Sequence, residues 1–275
     1  MIKIVLGILI ISQLISGKLN AQDIDRYNPH DRTSVFFQDA RHFVEVGFGL
    51  ISAPFMFDLH DWTGLATTLG GTALLFTTDK SVRSFTHRNQ NKLNNTIFDL
   101  DAYYGDSYTG LFALSLYGYG ALAGNEHVRR TGLYATEAII YAGSLTGTLK
   151  LIIGRRRPYA GNGHLFFNPF QFGKEEYRSL PSGHTTVSFA VSTVLAKSVD
   201  NTYWKIFWYG AAGLVGASRI YHNKHWLSDV FLGAAIGYTV GDYVSDFDLK
   251  ERPSLFGVKI KPYFGLNRIG LQANF

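Results

Sequence analysis

The sequence predicts an all-α protein, a bundle of apolar helices followed by a short C-terminal β-hairpin. Apolar segments recur along most of the chain, at 43–57, 62–78, 108–124, 131–149, 184–196, 204–217 and 226–244. They are long for strands, and Gly, Ala, Ser and Thr are interspersed among the large residues, as is typical of closely packed helices. The last residues alternate apolar and polar side chains, which indicates strands instead.

The apolar segments fit either of two environments. A helix needs about 20 apolar residues to span a bilayer comfortably, and most of these segments are slightly shorter. Charged residues make up 17% of the chain, compared with about 25% in ordinary soluble domains. The low charge predicts that much surface is hidden, either inside the protein or in lipid, so membrane-embedded helices and a soluble bundle both stay open.

The N-terminus predicts export. Lys3 precedes an apolar run from Ile4 to Ile15, and the small residue Ala21 ends a stretch typical of signal-peptide cleavage sites. The alternative is a first membrane helix, but the run is short for a span. We therefore predict a signal peptide at 1–21, a mature chain from Gln22, and a location in the periplasm or at the membrane with the active site on the extracytoplasmic side.

No low-complexity linker divides the chain, so one helical domain is predicted at 22–257. The tail at 258–275 predicts a β-hairpin, with strands at 258–264 and 268–275 on either side of turn residues Gly265 and Asn267. We expect this hairpin to pack on the bundle. The alternative, an outer-membrane strand ending at Phe275, rests only on the alternation.

Charge and cysteine content exclude several classes of function. The formal net charge is +5, and two of the lysines, Lys3 and Lys18, lie in the predicted leader. So small an excess does not indicate a nucleic-acid partner. The chain has no cysteine, which excludes disulfides and thiolate metal sites.

The first of three polar motifs is the sequence KLIIGRRRP. Lys150 ends an apolar segment, Gly154 interrupts it, and Pro158 disfavours helical geometry at Arg157. Cations at a helix end often only face solvent or complement the helix dipole. Alone, this motif is therefore a weak indication of an anion site.

The second motif is PSGH, residues 181–184, directly before another apolar segment. Ser182 is a favourable N-cap residue, and the free amides of Gly183 and His184 would point out of the helix start, where anions bind well. A plain capped helix is the alternative. A histidine here has a chemical use if a proton must be moved near neutral pH.

The third motif is SRIYHNKHWLSD, residues 218–229. His225 and Asp229 are four residues apart at the start of the last apolar segment, so they share one helix face. The carboxylate can hold one imidazole nitrogen and leave the other as a base or nucleophile. Arg219 offers a bidentate fork for an oxyanion. His222 is a rival without an acid at that spacing.

These motifs are predicted to converge. Lys150 and Arg219 follow apolar helices, whereas His184 and His225 precede them, so in an up-and-down bundle all four fall at one end. Cations, a helix N-terminus and two histidines would then form a phosphate site with a nucleophile and an acid.

In order and spacing, these motifs resemble the signature of the type 2 phosphatidic acid phosphatase (PAP2) superfamily, which also contains bacterial class A acid phosphatases and vanadium haloperoxidases. The matching positions are Lys150–x6–Arg157–Pro158, then Pro181–Ser182–Gly183–His184, then Ser218–Arg219–x5–His225–x3–Asp229. The resemblance covers roughly 131–244 and implies the helical bundle of that family.

The resemblance also implies roles. His225 would attack phosphorus and form a phosphohistidine, Asp229 would orient His225, and His184 would protonate the leaving oxygen and then activate water. The phosphoryl oxygens would be held by Lys150, Arg157, Ser182, Gly183 and Arg219. No cofactor and no metal is implied; the pairs Asp99/Asp101 and Asp246/Asp248 fit solvated loop acids better than metal ligands.

The expected function is a metal-independent phosphatase that hydrolyses a phosphate monoester or diphosphate, with a phosphorylated lipid favoured as substrate by the apolar helices. A soluble acid phosphatase of broad specificity, acting on small phosphate esters, is the main alternative. A vanadium haloperoxidase would use the same anion cradle, but nothing in the sequence indicates halide chemistry.

Overall fold

The computed structural model describes residues 32–99, 104–247, 259–265 and 268–274. Its helices are α1 (Arg32–Ser52), α2 (Leu59–Phe76), α3 (Asp79–Arg88), α4 (Lys92–Phe98), α5 (Ser107–Ala123), α6 (Glu126–Ile153), α7 (Gly183–Ser198), α8 (Thr202–Tyr221) and α9 (Leu227–Ser245). Strands β1 (Lys259–Gly265) and β2 (Arg268–Asn274) pair antiparallel, with Lys259 opposite Asn274.

Helix α7 lies at the centre of the bundle. It packs against α6, α8 and α9, and α9 also contacts α6 and α2. The buried core between these helices consists largely of alanine and valine, including Ala138, Ala142, Ala190, Val194 and Val244. Such small side chains let the helix backbones approach closely, so the ends of neighbouring helices are held at fixed distances.

Glycines bring α9 directly onto α7. A Cβ atom at Gly237 would lie 2.3 Å from the Thr186 carbonyl oxygen, and one at Gly233 would lie 2.6 Å from the Ser182 carbonyl oxygen. Any larger residue would force the two helices apart. This contact places the start of α7, with the PSGH motif, beside the start of α9, with His225 and Asp229.

Two helices begin several residues before the apolar segments that they contain. Helix α1 begins at Arg32 rather than near residue 43, and α6 begins at Glu126 rather than near residue 131. The reason is that these polar turns are paired internally: Arg129 forms a buried ion pair with Asp39, and His42 Nδ1 lies 2.9 Å from Glu137 Oε1. Apolar periodicity cannot detect a helical turn whose buried groups are charged.

The stretch 79–107, which the sequence predicts to be a long polar connection, contains the two short helices α3 and α4. Asn91 caps α4 by accepting a hydrogen bond from the backbone N–H of Asn94 at 2.9 Å. Helix α3 runs from the end of α2 and buries Asp79, which is 1% exposed. A connection expected to be solvated therefore supplies a buried carboxylate.

Many large apolar side chains remain exposed on the outside of the bundle. On α2 they include Leu59, Trp62, Leu65, Leu69 and Leu74. Among the described helices, none is by itself long and apolar enough to cross a bilayer, whereas α1 and α2 together, bent by 87°, pass the same test. The predicted signal peptide, residues 1–21, lies outside the described residues.

Candidate active site

A cavity of about 150 Å³ opens where the ends of α6, α7 and α9 meet. Its lining includes both predicted histidines and two of the predicted cations. The full set of lining residues is Lys150, Arg157, Glu175, Arg178, Gly183, His184 and His225. The structure thus brings together five of the sequence-predicted residues around one space, and adds Glu175 and Arg178.

His225 is buried at the base of this cavity, with 2% of its surface exposed. Its Nδ1 atom lies 3.5 Å from Asp229 Oδ2, and its backbone N–H donates to the Arg219 carbonyl at 3.1 Å. Burial, followed by the charges of Lys150 and Arg157, lowers the pKa of His225 well below its usual range, although Asp229 opposes the shift. The lowered pKa favours the neutral imidazole, which has one ring nitrogen with a free lone pair.

Asp229 is completely buried and accepts several hydrogen bonds. Ser179 Oγ donates to Oδ2 at 2.5 Å, the backbone N–H of Trp226 donates to Oδ2 at 2.8 Å, and Arg155 donates to Oδ1 at 2.6 Å. Burial alone would raise the pKa of Asp229, but the interaction with His225 and the charge of Arg155 outweigh it and lower the pKa to about 2. Asp229 is a fixed anion.

Arg155 is the arginine of the GRRRP stretch that turns inward. Its guanidinium is fully buried and donates to Asp229, to Ser228 Oγ at 2.6 Å, to Asp79 Oδ2 at 2.7 Å and to the His164 carbonyl. Sequence reasoning missed Arg155, Asp79 and Ser179, since they lie outside the signature positions.

Lys150 ends α6, and its Nζ donates to the Arg178 carbonyl at 2.6 Å. Burial, and then the neighbouring charges of Arg157 and Arg178, lowers the pKa of Lys150 to about 7. A bound phosphoryl group, with its negative charge, would restore the protonated form.

Arg157 lies at the rim, where its Nη2 donates to Glu175 Oε2 at 2.9 Å. Glu175 Oε1 in turn accepts from Arg178 at 3.2 Å, so one carboxylate joins two guanidinium groups beside the cavity. Burial, with a contribution from the charge of Arg219, lowers the pKa of Arg157, although Glu175 opposes it.

The helix start of α7 differs in one detail from the prediction. Ser182 stands at the N-cap, but its side chain makes no capping hydrogen bond to the backbone. Its hydroxyl instead lies 2.9 Å from Thr185 Oγ1, and its backbone N–H donates to the Asp229 carbonyl at 2.9 Å. Ser182 is fully buried and is not one of the cavity-lining residues, whereas Gly183 and His184 are.

The remaining candidates are placed as follows. His184 Nε2 lies 3.9 Å from Asp106 Oδ2, a carboxylate that sequence reasoning did not consider. Arg219 is not one of the lining residues, and its carbonyl receives the His225 N–H. The rival His222 faces elsewhere, with Nε2 3.2 Å from the Phe98 carbonyl oxygen.

Residues 131–251 match the family model described as the PAP2 superfamily. This part of the chain is a PAP2 superfamily domain. The cavity residues Lys150, Arg157, Gly183, His184 and His225 all lie within it. The PAP2 match ends before the C-terminal hairpin and begins after α1–α5, so those parts of the chain are not covered by it.

Named relatives are similar to this chain over part of its length. The chain is 37% identical over 87 residues to a lipid A 1-phosphatase of Porphyromonas gingivalis, which covers 30% of this chain and 19% of that protein. It is 31% identical over 113 residues to a lipid A 1-phosphatase of Rhizobium etli, covering 40% of this chain and 47% of that protein. The chain thus spans less than half the length of these two curated relatives.

A solved structure has the same fold. It is that of the first transmembrane PAP2 type phosphatidylglycerolphosphate phosphatase from Bacillus subtilis, and the superposition has a TM-score of 0.52 at 21% identity. It covers 67% of this chain and 95% of the other. The predicted helical bundle of the PAP2 type is confirmed.

Within the described residues, no group of three or more His, Asp or Glu side chains is arranged to hold a metal ion. Asp101 and Asp248, the second members of the two Asp-x-Asp pairs, lie outside the described residues.

Proposed function

We propose that this protein is a phosphatase that hydrolyses a phosphate monoester or diphosphate, carried on a lipid, through a phosphohistidine on His225. One observation carries the proposal: the buried imidazole of His225, whose Nδ1 lies 3.5 Å from Asp229 Oδ2, opens on a cavity lined by Lys150, Arg157 and Arg178. A neutral nucleophile and a positive cradle are the two requirements of phosphoryl transfer to histidine.

In the proposed reaction, His225 Nε2 donates its lone pair to phosphorus while the bond to the leaving oxygen breaks. Protonated His184 gives its proton to that oxygen. Neutral His184 then removes a proton from water, the resulting hydroxide attacks phosphorus, and the P–N bond breaks to return His225 to its neutral form. Lys150, Arg157 and the Gly183 amide would stabilise the charge that spreads over the equatorial oxygens.

Two observations favour a lipid as substrate. Two relatives similar to this chain are named lipid A 1-phosphatases. The bundle also exposes large apolar side chains on α2 and in the loop beside the site, where Phe170 and Phe172 are 58% and 74% exposed. We infer that this surface contacts a membrane and that the cavity opens toward lipid headgroups outside the cytoplasm.

The proposal is tested by trapping the intermediate. Rapid quenching with a ³²P-labelled phospholipid monoester in mixed micelles is expected to yield an acid-labile, base-stable label, which peptide mapping locates on His225. His225→Ala is expected to lose the label and more than about a thousandfold in kcat. His222→Ala, at the neighbouring histidine outside the cavity, serves as the matched control and retains both.

Two further measurements define the chemistry. Vanadate, which adopts the trigonal bipyramid of the transition state, is expected to inhibit tightly, whereas EDTA is expected to leave activity unchanged because side chains supply the positive charge. A label on another residue, or loss of activity in EDTA restored by a divalent cation, would refute the mechanism. Equal kcat/KM for a small soluble ester would favour the broad-specificity acid phosphatase instead.

A further inference from the structure

The buried face of the active site contains an ion pair that the proposed reaction does not use. Arg155 divides its guanidinium between two carboxylates: Nη1 lies 2.6 Å from Asp229 Oδ1, and Nη2 lies 2.7 Å from Asp79 Oδ2. All three side chains are 0% exposed. Removing three charges from water is costly, and is tolerated only where the pairing and the hydrogen bonding are nearly complete.

Aromatic rings close this cluster off from solvent. The guanidinium carbon of Arg155 lies 4.4 Å from the ring centroid of Phe76 and 5.5 Å from that of Trp226. Because the surroundings are apolar, the charges act on one another with little screening. Removing one of these charges should therefore change the pKa values of Asp229 and His225.

Asp79 also fixes the start of α9. Its Oδ1 accepts the backbone N–H of Ser228 at 3.0 Å, and its Oδ2 accepts the Ser228 hydroxyl at 2.7 Å. Ser228 is the residue directly before Asp229, so Asp79 holds both the backbone and, through Arg155, the carboxylate. Asp79 belongs to α3, which precedes the PAP2 region.

We propose that Asp79 and Arg155 are positioning residues that hold Asp229 in the orientation and charge state required by His225. This inference rests on the proposed function, in which His225 is the nucleophile. It assigns part of the catalytic apparatus to an N-terminal helix that the family match does not include.

The two residues carry opposite charges, so they should act on the pH dependence in opposite directions. The other charged or titratable groups around this cavity and its buried face are Lys150, Arg157, Glu175, Arg178, His184 and Arg219, and these are unchanged in either variant. Arg155→Gln removes a positive charge and should raise the pKa of both Asp229 and His225. Asp79→Asn removes a negative charge and should lower both.

The test measures kcat/KM against pH with a small phosphate ester, since the acid limb of this profile reports the free enzyme. We expect the limb to move up by about one pH unit in Arg155→Gln and down by about one in Asp79→Asn, the size expected for one buried charge at moderate effective dielectric. In ¹³C-histidine-labelled protein, NMR should show the His225 resonance, assigned by its absence in His225→Gln, titrating with the same shifts.

Asp39→Asn is the matched control. Asp39 is likewise a buried carboxylate paired with an arginine, Arg129, but its contacts link α1 to α6 and α5 away from the cavity. It should lower thermal stability without moving the acid limb. Should Arg155→Gln not fold, the double variant Asp79→Asn/Arg155→Gln, which keeps the net charge, is expected to lose kcat with its limb near the wild-type position.

The outcomes separate the two hypotheses. If the wild type forms phosphohistidine but the single variants Asp79→Asn and Arg155→Gln lower only stability or only the amplitude of the profile, or if the double variant keeps the wild-type kcat, the positioning role is wrong and the cluster is structural. If the wild type forms no phosphohistidine, the proposed function fails. The NMR titration still tests the coupling in that case, because it does not depend on turnover.

Discussion

Two arginines separated by one residue occupy opposite environments in this site. Arg155 is fully buried and bonded to the carboxylates of Asp79 and Asp229, whereas Arg157 lies at the cavity rim and bonds to Glu175, which is 64% exposed. The first set of contacts comes from two other helices of the bundle. The second comes from a loop next to solvent.

The buried arginine fixes the geometry of the site, whereas the arginine at the rim is available to bind substrate. On the buried side, the partners of Arg155 cannot leave without stranding a charge in an apolar setting, so the geometry of Asp229 and His225 is fixed before substrate arrives. On the rim, the Arg157 side chain is 13% exposed but its partner Glu175 is 64% exposed, so the carboxylate can turn into water while the guanidinium stays in place. A phosphoryl group can therefore replace Glu175 at low cost.

The largest loss of kcat should follow from removing the charge of Asp229, the buried carboxylate next to His225. Asp229→Asn keeps the shape but removes the anion that orients His225, and we expect kcat to fall by about a thousandfold while the inhibition constant for vanadate changes much less. Steady-state kinetics and vanadate titration measure the two quantities. A rise in KM alone would make Asp229 a binding residue.

Substitutions within GRRRP should show that Arg157, at the cavity rim, contributes more to kcat/KM than its neighbour Arg156. Arg157→Ala removes a cation from the cavity and is expected to reduce kcat/KM by about a hundredfold. Arg156→Ala serves as the control, because Arg156 Nη2 pairs at 3.3 Å with Glu176 and the side chain does not line the cavity; a change of no more than about threefold is expected. Equal losses in the two variants would contradict the assignment of Arg157 as the phosphate ligand.

The sequence was informative where chemistry is encoded locally. Spacing predicted that Lys150, Arg219, His184 and His225 would meet, because each lies at an end of an apolar segment and the helices alternate in direction; Lys150, His184 and His225 do line one cavity, whereas Arg219 does not. The i, i+4 relation of His225 and Asp229 likewise predicted their contact, although the separation of 3.5 Å is longer than a hydrogen bond in this structure.

Contacts between distant parts of the chain could not be predicted in this way. Asp79 opens a short helix after an apolar segment, a position where an acid normally caps a helix and faces water. Its partners Arg155 and Ser228 are far away in sequence, and no periodicity links them. The one available signal was the triple arginine itself, since three consecutive side chains after a helix cannot all point into the same cavity.

The smallest expected effect is a change in KM when Glu175, the carboxylate at the rim, is neutralised. In the unliganded site Glu175 competes with substrate for Arg157 and Arg178, so Glu175→Gln is expected to lower KM for a phosphate ester about twofold to fivefold, the size of an exposed ion pair. Because Glu175 must leave before chemistry begins, kcat should stay constant. Raising the ionic strength weakens an exposed pair by screening, so the advantage of the variant should shrink in high salt. A higher KM in Glu175→Gln would instead mean that the carboxylate organises the two arginines for substrate, and the rim would then be as preformed as the buried side.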